Sequence, residues 1–411
     1  MLSYDRMGSN KAEQMRQIHK FYLTEFLKTQ RYFIPIMILF LQFHKLSYTE
    51  IFLLYAIQSF VVFLLEIPSG VFADLFGKKA ALLISRASLI PAYALFAVAE
   101  NFWIFLLAMI FIALNKAFKS GTHKAFIFEY LEQNPSKITP GEVFGKNKFW
   151  ARLGEALASV AGGFIAAKFG FPVVFVFALI PTFVNFVNAL TYEKIQEKHR
   201  VKKFSLSMHF QHIGESIVDI KSKKIVQQLI INSAIFVSCM EASEKFFQPY
   251  MIEAQIPIQW FGIIYMIILI FTAFGSRYAY LFESKFSRAD IANISGLIGI
   301  VPFVILGLEF VSISGIFLFF LILFLKSARR PAIITELNTH IPSDKRATIL
   351  STDSLFRALF LLAFLPIIGR LSDSFSIYTA MLIIGILLVL NQIFFGIPRT
   401  SKNRVRIDGD S

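Results

Sequence analysis

Apolar runs of bilayer-spanning length recur along nearly the whole of this chain, and no other feature constrains its fold as strongly. A helix needs roughly 20 predominantly apolar residues to cross the hydrocarbon core of a membrane. In lipid every backbone N–H and C=O must find a partner inside the protein, so only helices and closed barrels span it. The runs here are continuous rather than short and alternating, which selects helices. Composition agrees: of 411 residues 56% are hydrophobic and only 17% charged, where a soluble chain has about 25% charged. The expectation is an all-α membrane protein with many spans.

Apolar runs bounded by charged or turn residues give twelve expected spans in two sets of six. The first set is Tyr22–Phe43, Glu50–Ala73, Ala80–Ala99, Phe102–Tyr130, Phe149–Ala167 and Pro172–Tyr192. The second is Ile225–Ile252, Gln259–Phe282, Ile291–Leu308, Val311–Leu337, Thr348–Leu371 and Ile377–Ile397. The expected organisation is an N-terminal segment (1–21), a six-helix half (22–192), a linker (193–224), a second six-helix half (225–397) and a tail (398–411). The later linker, FSLSMHFQHIGESIVDI, has apolar residues near helical spacing. It reads as a helix on the inner membrane surface or as a solvated linker helix.

Lysine and arginine set the orientation. With the N-terminus inside, the inner connections hold Lys78, Lys79, Lys137, Lys146, Lys148 and the basic linker, while the outer ones hold only Lys45, Lys168 and Arg370. Both termini are therefore expected on the cytoplasmic side, and the asymmetry accounts for the net charge of +14 without nucleic acid. Cys239 is the single cysteine, which excludes an intrachain disulfide and a cysteine-rich metal site. The first twenty residues are polar, so no removable signal peptide is expected, and the first span is expected to direct insertion itself.

A weak internal repeat supports two halves. LSYTEIF, entering the second span at Leu46, has a counterpart in IPIQWFG, entering the eighth at Ile256. GGFIAAKFGFP at the end of the fifth span parallels IGRLSDSFSIY at the end of the eleventh, with Gly163 and Phe169 matching Gly369 and Phe375. Duplicated halves are a transporter architecture.

Between the second and third expected spans lies Gly70-Val-Phe-Ala-Asp74-Leu-Phe-Gly77-Lys78-Lys79. This loop resembles the signature of the major facilitator superfamily, roughly Gly-x-x-x-Asp-Arg-x-Gly-Arg-Arg, and departs from it at Leu75. SGTHKAFIFEYL from Ser120 and IPSDKRATILS entering the eleventh span are further familiar patterns. The resemblance covers residues 20–397. It implies twelve helices in two halves that rock in alternating access, with Asp74 as a latch between the second span and the inner end of the eleventh. Family exporters that exchange a solute for protons carry Gly-x8-Gly-x3-Gly-Pro-x2-Gly in span five. Here Gly145, Gly154 and Gly162, followed by Gly163, keep the outer register, while Ala158 and Ser159 replace the central Gly-Pro. A plain packing face explains these glycines almost as well.

Charges facing lipid are expensive, so those within spans should face inward or pair. The resemblance implies that spans one, four, seven and ten line the cavity. Arg31, Lys116, Lys119, His123 and Lys326 are the candidate substrate-cavity residues. The i, i+3, i+7 spacing of Lys116, Lys119 and His123 places them on one face of a continuous helix. Glu241, Glu244 and Glu66 are the candidate proton carriers. The alternative is mutual neutralisation: Glu241 and Lys245 stand i, i+4 in the favourable order, and Glu66, Arg86, Glu129 and Arg357 read more simply as paired charges.

A nucleotide-driven pump lacks its loop, since GEVFGKN at Gly141 is one residue short and has no Ser or Thr after the lysine. No HExxH or Gly-x-Ser-x-Gly is present to mark a hydrolase. No cofactor or metal is expected. The first functional expectation is proton-coupled export of small organic compounds across the bacterial inner membrane by a monomer. Proton-coupled uptake of an organic anion is the second, and a receptor or sensor on a transporter-like fold is the reading outside transport. Partners are a small-molecule solute, an ion gradient and the lipid bilayer.

Overall fold

A computed structural model describes residues 2–135, 138–196, 220, 223–309, 311–341 and 346–398, with side chains at all but 2–11, 276–285, 346 and 347. Most of the amphipathic linker stretch and the tail lie outside the described residues. Among the described residues all regular structure is helical. The first helices are α1 (Leu2–Leu27), α2 (Met37–Phe43), α3 (Tyr48–Phe76), α4 (Lys78–Ala87), α5 (Leu89–Val98), α6 (Phe102–Lys119) and α7 (Thr122–Gln133). Then come α8 (Pro140–Phe169), α9 (Phe171–Leu190), α10 (Lys224–Glu253), α11 (Ile258–Lys285) and α12 (Arg288–Gly307). The last are α13 (Ile316–His340), α14 (Arg346–Ser374) and α15 (Ile377–Phe395).

Among the described residues, nine helical stretches are long and apolar enough to cross a bilayer. The first, fifth and tenth expected spans, also largely helical, fall short of that hydropathy because they carry charge or a break. The first is the clearest departure from the sequence expectation. It is not one helix: α1 stops at Leu27, residues 28–33 turn, a short 3₁₀ segment covers Ile34–Ile36, and α2 follows. Pro35 is the cause. In a continuous helix its ring would collide with the carbonyl of Arg31, four residues earlier. Arg31 thus lies in a turn rather than on a helix.

Backbone groups freed in the turn need partners at this depth. The Thr29 hydroxyl donates to Phe26 O at 2.8 Å, and Gln30 Nε2 donates to Gly154 O on α8 at 3.2 Å. α8 approaches so closely that a Cβ on Gly154 would lie 2.5 Å from Thr29 Oγ1, and one on Gly162 would lie 1.8 Å from Tyr32 O. Beyond the turn, Phe33 stacks on Phe175 of α9 at 4.9 Å, and Phe40 meets Phe175 at 4.6 Å and Phe105 of α6 at 5.6 Å. Aromatic contacts of this kind hold the short α2 in place.

The fourth expected span is also divided. α6 ends at Lys119, and Gly121 takes φ +71° before α7 begins. A side chain there would be strained, so glycine permits the turn. The single-helix spacing of Lys116, Lys119 and His123 therefore does not put them on one face. Gly77, at φ +94°, makes a one-residue connection from α3 to α4.

The chain forms two compact units. The first comprises Met1–His44, Gln58–Phe204 and Pro257–Met266, and the second Lys45–Ile57, Ser205–Ile256 and Ile267–Ser411. Each includes the beginning of one helix, α11 or α3, whose later residues belong to the other. In the first unit, a Cβ on Gly163 of α8 would stand 2.9 Å from Gly262 N and 3.0 Å from Gln259 O of α11. In the second, a Cβ on Gly369 of α14 would stand 2.7 Å from Thr49 Cα and Tyr48 O of α3. Asp373, one turn further along α14, accepts from Tyr48 N and Thr49 N at 2.8 Å each and from the Thr49 hydroxyl at 2.6 Å. That carboxylate caps the N-terminus of α3, where free amides and the helix dipole favour an anion.

Candidate functional site

The break in the first span gathers charge in the first unit. Glu25 lies in the last turn of α1, with Lys28 and Arg31 following at intervals of three. Glu25 ion-pairs with Lys28 through one oxygen, while Nδ1 of His123 on α7 stands 3.1 Å from the other. His123 is only 4% exposed and Glu25 8%. Arg86 of α4 is 2% exposed, and beyond a 3.4 Å contact from its NH1 to Ser85 Oγ it has no hydrogen-bond partner among the described residues. Lys119, at the end of α6, is half-buried within electrostatic reach of Lys28, Arg31 and Arg86, yet makes no hydrogen bond or ion pair among the described residues. Arg31 is half-buried too, and its Nε is unpartnered.

Local packing fixes these positions. Asn115 Nδ2 donates to Ser85 O at 2.6 Å and Ser85 Oγ at 3.0 Å, and the Ser85 hydroxyl donates back to Asn115 O at 3.1 Å. This exchange joins α4 to α6, so Arg86 and Lys119 are held by a rigid pair of helices. The result is four cations, Lys28, Arg31, Arg86 and Lys119, around one carboxylate. Isolated charges cost several kcal/mol each to bury, so such a surplus is answered by water, a mobile anion, a ligand or loss of a lysine proton. Chemically it is a receptacle for negative charge.

Other candidates are placed elsewhere. Lys116 is exposed and donates to Gln58 Oε1 at 2.7 Å. In the second unit, Lys326 of α13 donates to Glu244 Oε1 of α10 at 2.6 Å. Lys245 lies 4.0 Å over the Tyr55 ring rather than in an ion pair with Glu241. Glu241 is half-buried with no hydrogen bond or ion pair among the described residues. Glu66 and Asp74 are exposed and likewise unpaired among the described residues. Lys78 pairs with Glu129 at 2.9 Å, and Lys79 donates to the carbonyls of Leu190 and Tyr192 at the end of α9. Gly70 and Gly145 have open space where a Cβ would be, in contrast to Gly154, Gly162 and Gly163.

Sequence reasoning missed Glu25 and Lys28, assigned Arg86 to pairing, and overlooked Asp373. The spacing Glu25-x-x-Lys28-x-x-Arg31 just ahead of Pro35 was the available signal: three charges and a helix breaker inside an apolar run.

Known proteins give the class. The model of the Major Facilitator Superfamily matches residues 26–359. An uncharacterized MFS-type transporter of Bacillus subtilis (strain 168), YxaM, is 23% identical over 389 residues, 91% of this chain and 94% of that protein. Among solved structures, a mutant of the nucleoside transporter NupG superposes with TM-score 0.79 at 12% identity, covering 92% of this chain and 98% of that one. A bacterial homolog of the human lysosomal transporter Spinster gives 0.70 at 15% identity over 94% and 96%. A POT family transporter bound to a thioalcohol-conjugated peptide gives 0.71 at 15% over 92% and 95%. The chain belongs to the major facilitator superfamily. It is a multi-pass secondary transporter that carries a small-molecule solute across a lipid bilayer.

Proposed function

We propose that the solute is an organic anion, engaged by the cation cluster of the first unit. The observation that carries this reading is the charge count: Lys28, Arg31, Arg86 and Lys119 share a single carboxylate, and Lys119 has no partner of its own among the described residues. Arg86 and Arg31 supply planar guanidinium donors suited to a carboxylate or phosphate, and Lys119 supplies a point charge. Glu241, unpaired and half-buried among the described residues, is the proton carrier in this reading, with Glu244 held by Lys326. Transport proceeds by alternating access in a monomer of the bacterial inner membrane with both termini cytoplasmic.

Proton-coupled export of small organic compounds rests on the glycine pattern of the fifth span. Gly154 and Gly162 are already accounted for by their backbone contact with the turn of residues 28–33, so the anion reading is preferred. Nucleosides and peptides are the cargo named for two structural neighbours, at identities of 12% and 15% that carry no cargo to this chain.

The test is a thermal-shift screen of purified protein against carboxylates, phosphates and neutral analogues, followed by uptake into proteoliposomes. The expected result is stabilisation by anions alone. Losing one member of a buried charge-assisted contact costs about 2–5 kcal/mol, so Lys119→Gln should weaken apparent affinity by a factor of roughly 30 or more. Lys119→Gln protein that folds and transports normally would overturn the proposal. Uptake driven by an inward proton gradient supports symport, and stimulation by an outward one supports exchange.

A further inference from the structure

Helix α3 is fastened at its first turn and uncovered at its last. A helix begins with four backbone amides that find no partner within its own ladder. In α3 a box made by its own residues answers two of them: Ser47 N donates to Glu50 Oε2 at 2.8 Å, and Glu50 N donates to Ser47 Oγ at 3.2 Å. The two amides between them turn to another helix. Tyr48 N donates to one carboxylate oxygen of Asp373 on α14 and Thr49 N to the other, at 2.8 Å each, and the Thr49 hydroxyl adds a third bond at 2.6 Å. Capping is thus divided between α3 itself and a residue far along the chain.

A division of this kind is reversible. The three bonds to Asp373 are open to solvent, so water can take its place while Ser47 and Glu50 go on capping the helix. α3 can therefore let go of α14 without fraying. Gly369, one turn before Asp373, permits the close approach: a Cβ there would stand 2.7 Å from Thr49 Cα. On α8, Gly163 makes the corresponding approach to α11, but the residue four further on is Ala167, which offers no acceptor. At the far end of α3, about 40 Å from Tyr48 at ~1.5 Å per residue, Gly70, Asp74, Leu75 and Phe76 are all exposed.

We infer that Asp373 is a latch in the transport cycle, holding the start of α3 to α14 in one access state and giving its two amides up to water in the other. It is separate from the contact expected at Asp74, which lies at the opposite end of α3. Asp373 is a positioning residue and touches no solute. The inference rests on the alternating-access reading above and not on the charge of the solute. Attraction between a carboxylate and an exposed helix N-terminus is modest, enough to bias a state and weak enough to be released at every turnover. Parting α3 from α14 at this end breaks all three bonds together, so the contact acts as one switch. As the end at Tyr48 is released, the uncovered end at Gly70–Phe76 is the one that closes.

The experiment uses the full chain in nanodiscs and needs no solute. Hydrogen–deuterium exchange follows the first turns of α3, and the rate at which a charged maleimide labels Gly70→Cys follows its far end. Gly70 has open space for a thiol, and the native Cys239 is fully buried. Asp373→Asn should speed exchange at the start of α3 about tenfold, the scale of a net hydrogen bond, and at the same time slow labelling of Gly70→Cys. Faster exchange with unchanged labelling would make Asp373 a plain helix cap and overturn the inference, as would no change in either. Asp373→Glu keeps the carboxylate and should restore part of both; a variant as altered as Asp373→Asn would assign the contact to shape and overturn the latch. Thr49→Val removes one donor and should move both readouts the same way by less. It carries the test if Asp373→Asn does not fold, and unchanged readouts would then overturn the inference. Lys119→Gln, which tests the anion reading, should leave both readouts as they are, so either proposal can fail without the other.

Discussion

Glu244 and Lys326 in the second unit form a matched pair, as do Asp353 and Arg357, whereas Glu25 in the first unit stands alone among four cations. The same kinds of side chain, more deeply enclosed in the first unit than in the Glu244–Lys326 pair, serve different ends. Where acids and bases are matched one to one, helix packing is a sufficient explanation. Where cations outnumber acids within a membrane span, the missing charge points to something that arrives from outside. In the first unit that excess extends over Arg31, Arg86 and Lys119.

Removing acids one at a time probes this contrast. Glu25→Gln should be the most damaging, because it strips the one carboxylate that the described residues place in a buried cluster; breaking such a pair costs about 3–5 kcal/mol. The unfolding midpoint in detergent should fall steeply, and added anions should restore part of the loss. An unaltered midpoint would mean that Glu25 does not hold the cluster. Asp353→Asn comes next: its carboxylate is mostly enclosed but Arg357 reaches solvent, so about 1.5–3 kcal/mol for a hydrogen bond to a charged group is the relevant scale. The same midpoint measures it, with no rescue by anions. Glu244→Gln should be mildest, since both partners are about a quarter exposed or more and solvent-reached pairs contribute about 0–1 kcal/mol. The same unfolding midpoint measures it, and it should fall least of the three. A reversed order among these three would break the comparison.

Much of the architecture was legible in the sequence, because long apolar runs in lipid admit few solutions and because the loop around Asp74 resembles a known family. The breaks were not. Span counting averages over about 20 residues, so it passes over a local steric event such as the Pro35 ring meeting the Arg31 carbonyl. Gly121 was hidden for a related reason: the runs on either side are apolar enough to read as one. Once both spans are cut, the spacing argument for Lys116, Lys119 and His123 fails, and Lys116 turns to Gln58 while His123 turns to Glu25. Which charges meet is a tertiary matter. Arg86 and Lys119 are brought together by the Ser85–Asn115 exchange between α4 and α6, and nothing in either segment alone announces it.

The turn at residues 28–33 also bears on how the chain is made. Upstream of it α1 is polar over much of its length, and downstream Ile34–Phe43 forms only a short apolar helix. Neither piece matches the roughly 20 apolar residues that hold a helix across a bilayer unaided. The first stretch long and apolar enough to partition into lipid by itself is α3. The place of the opening span in the bilayer therefore draws on its contacts: Phe33 with Tyr93 of α5 and Phe175 of α9, Phe40 with Phe105 of α6, and the Tyr32 carbonyl with Gly162 of α8.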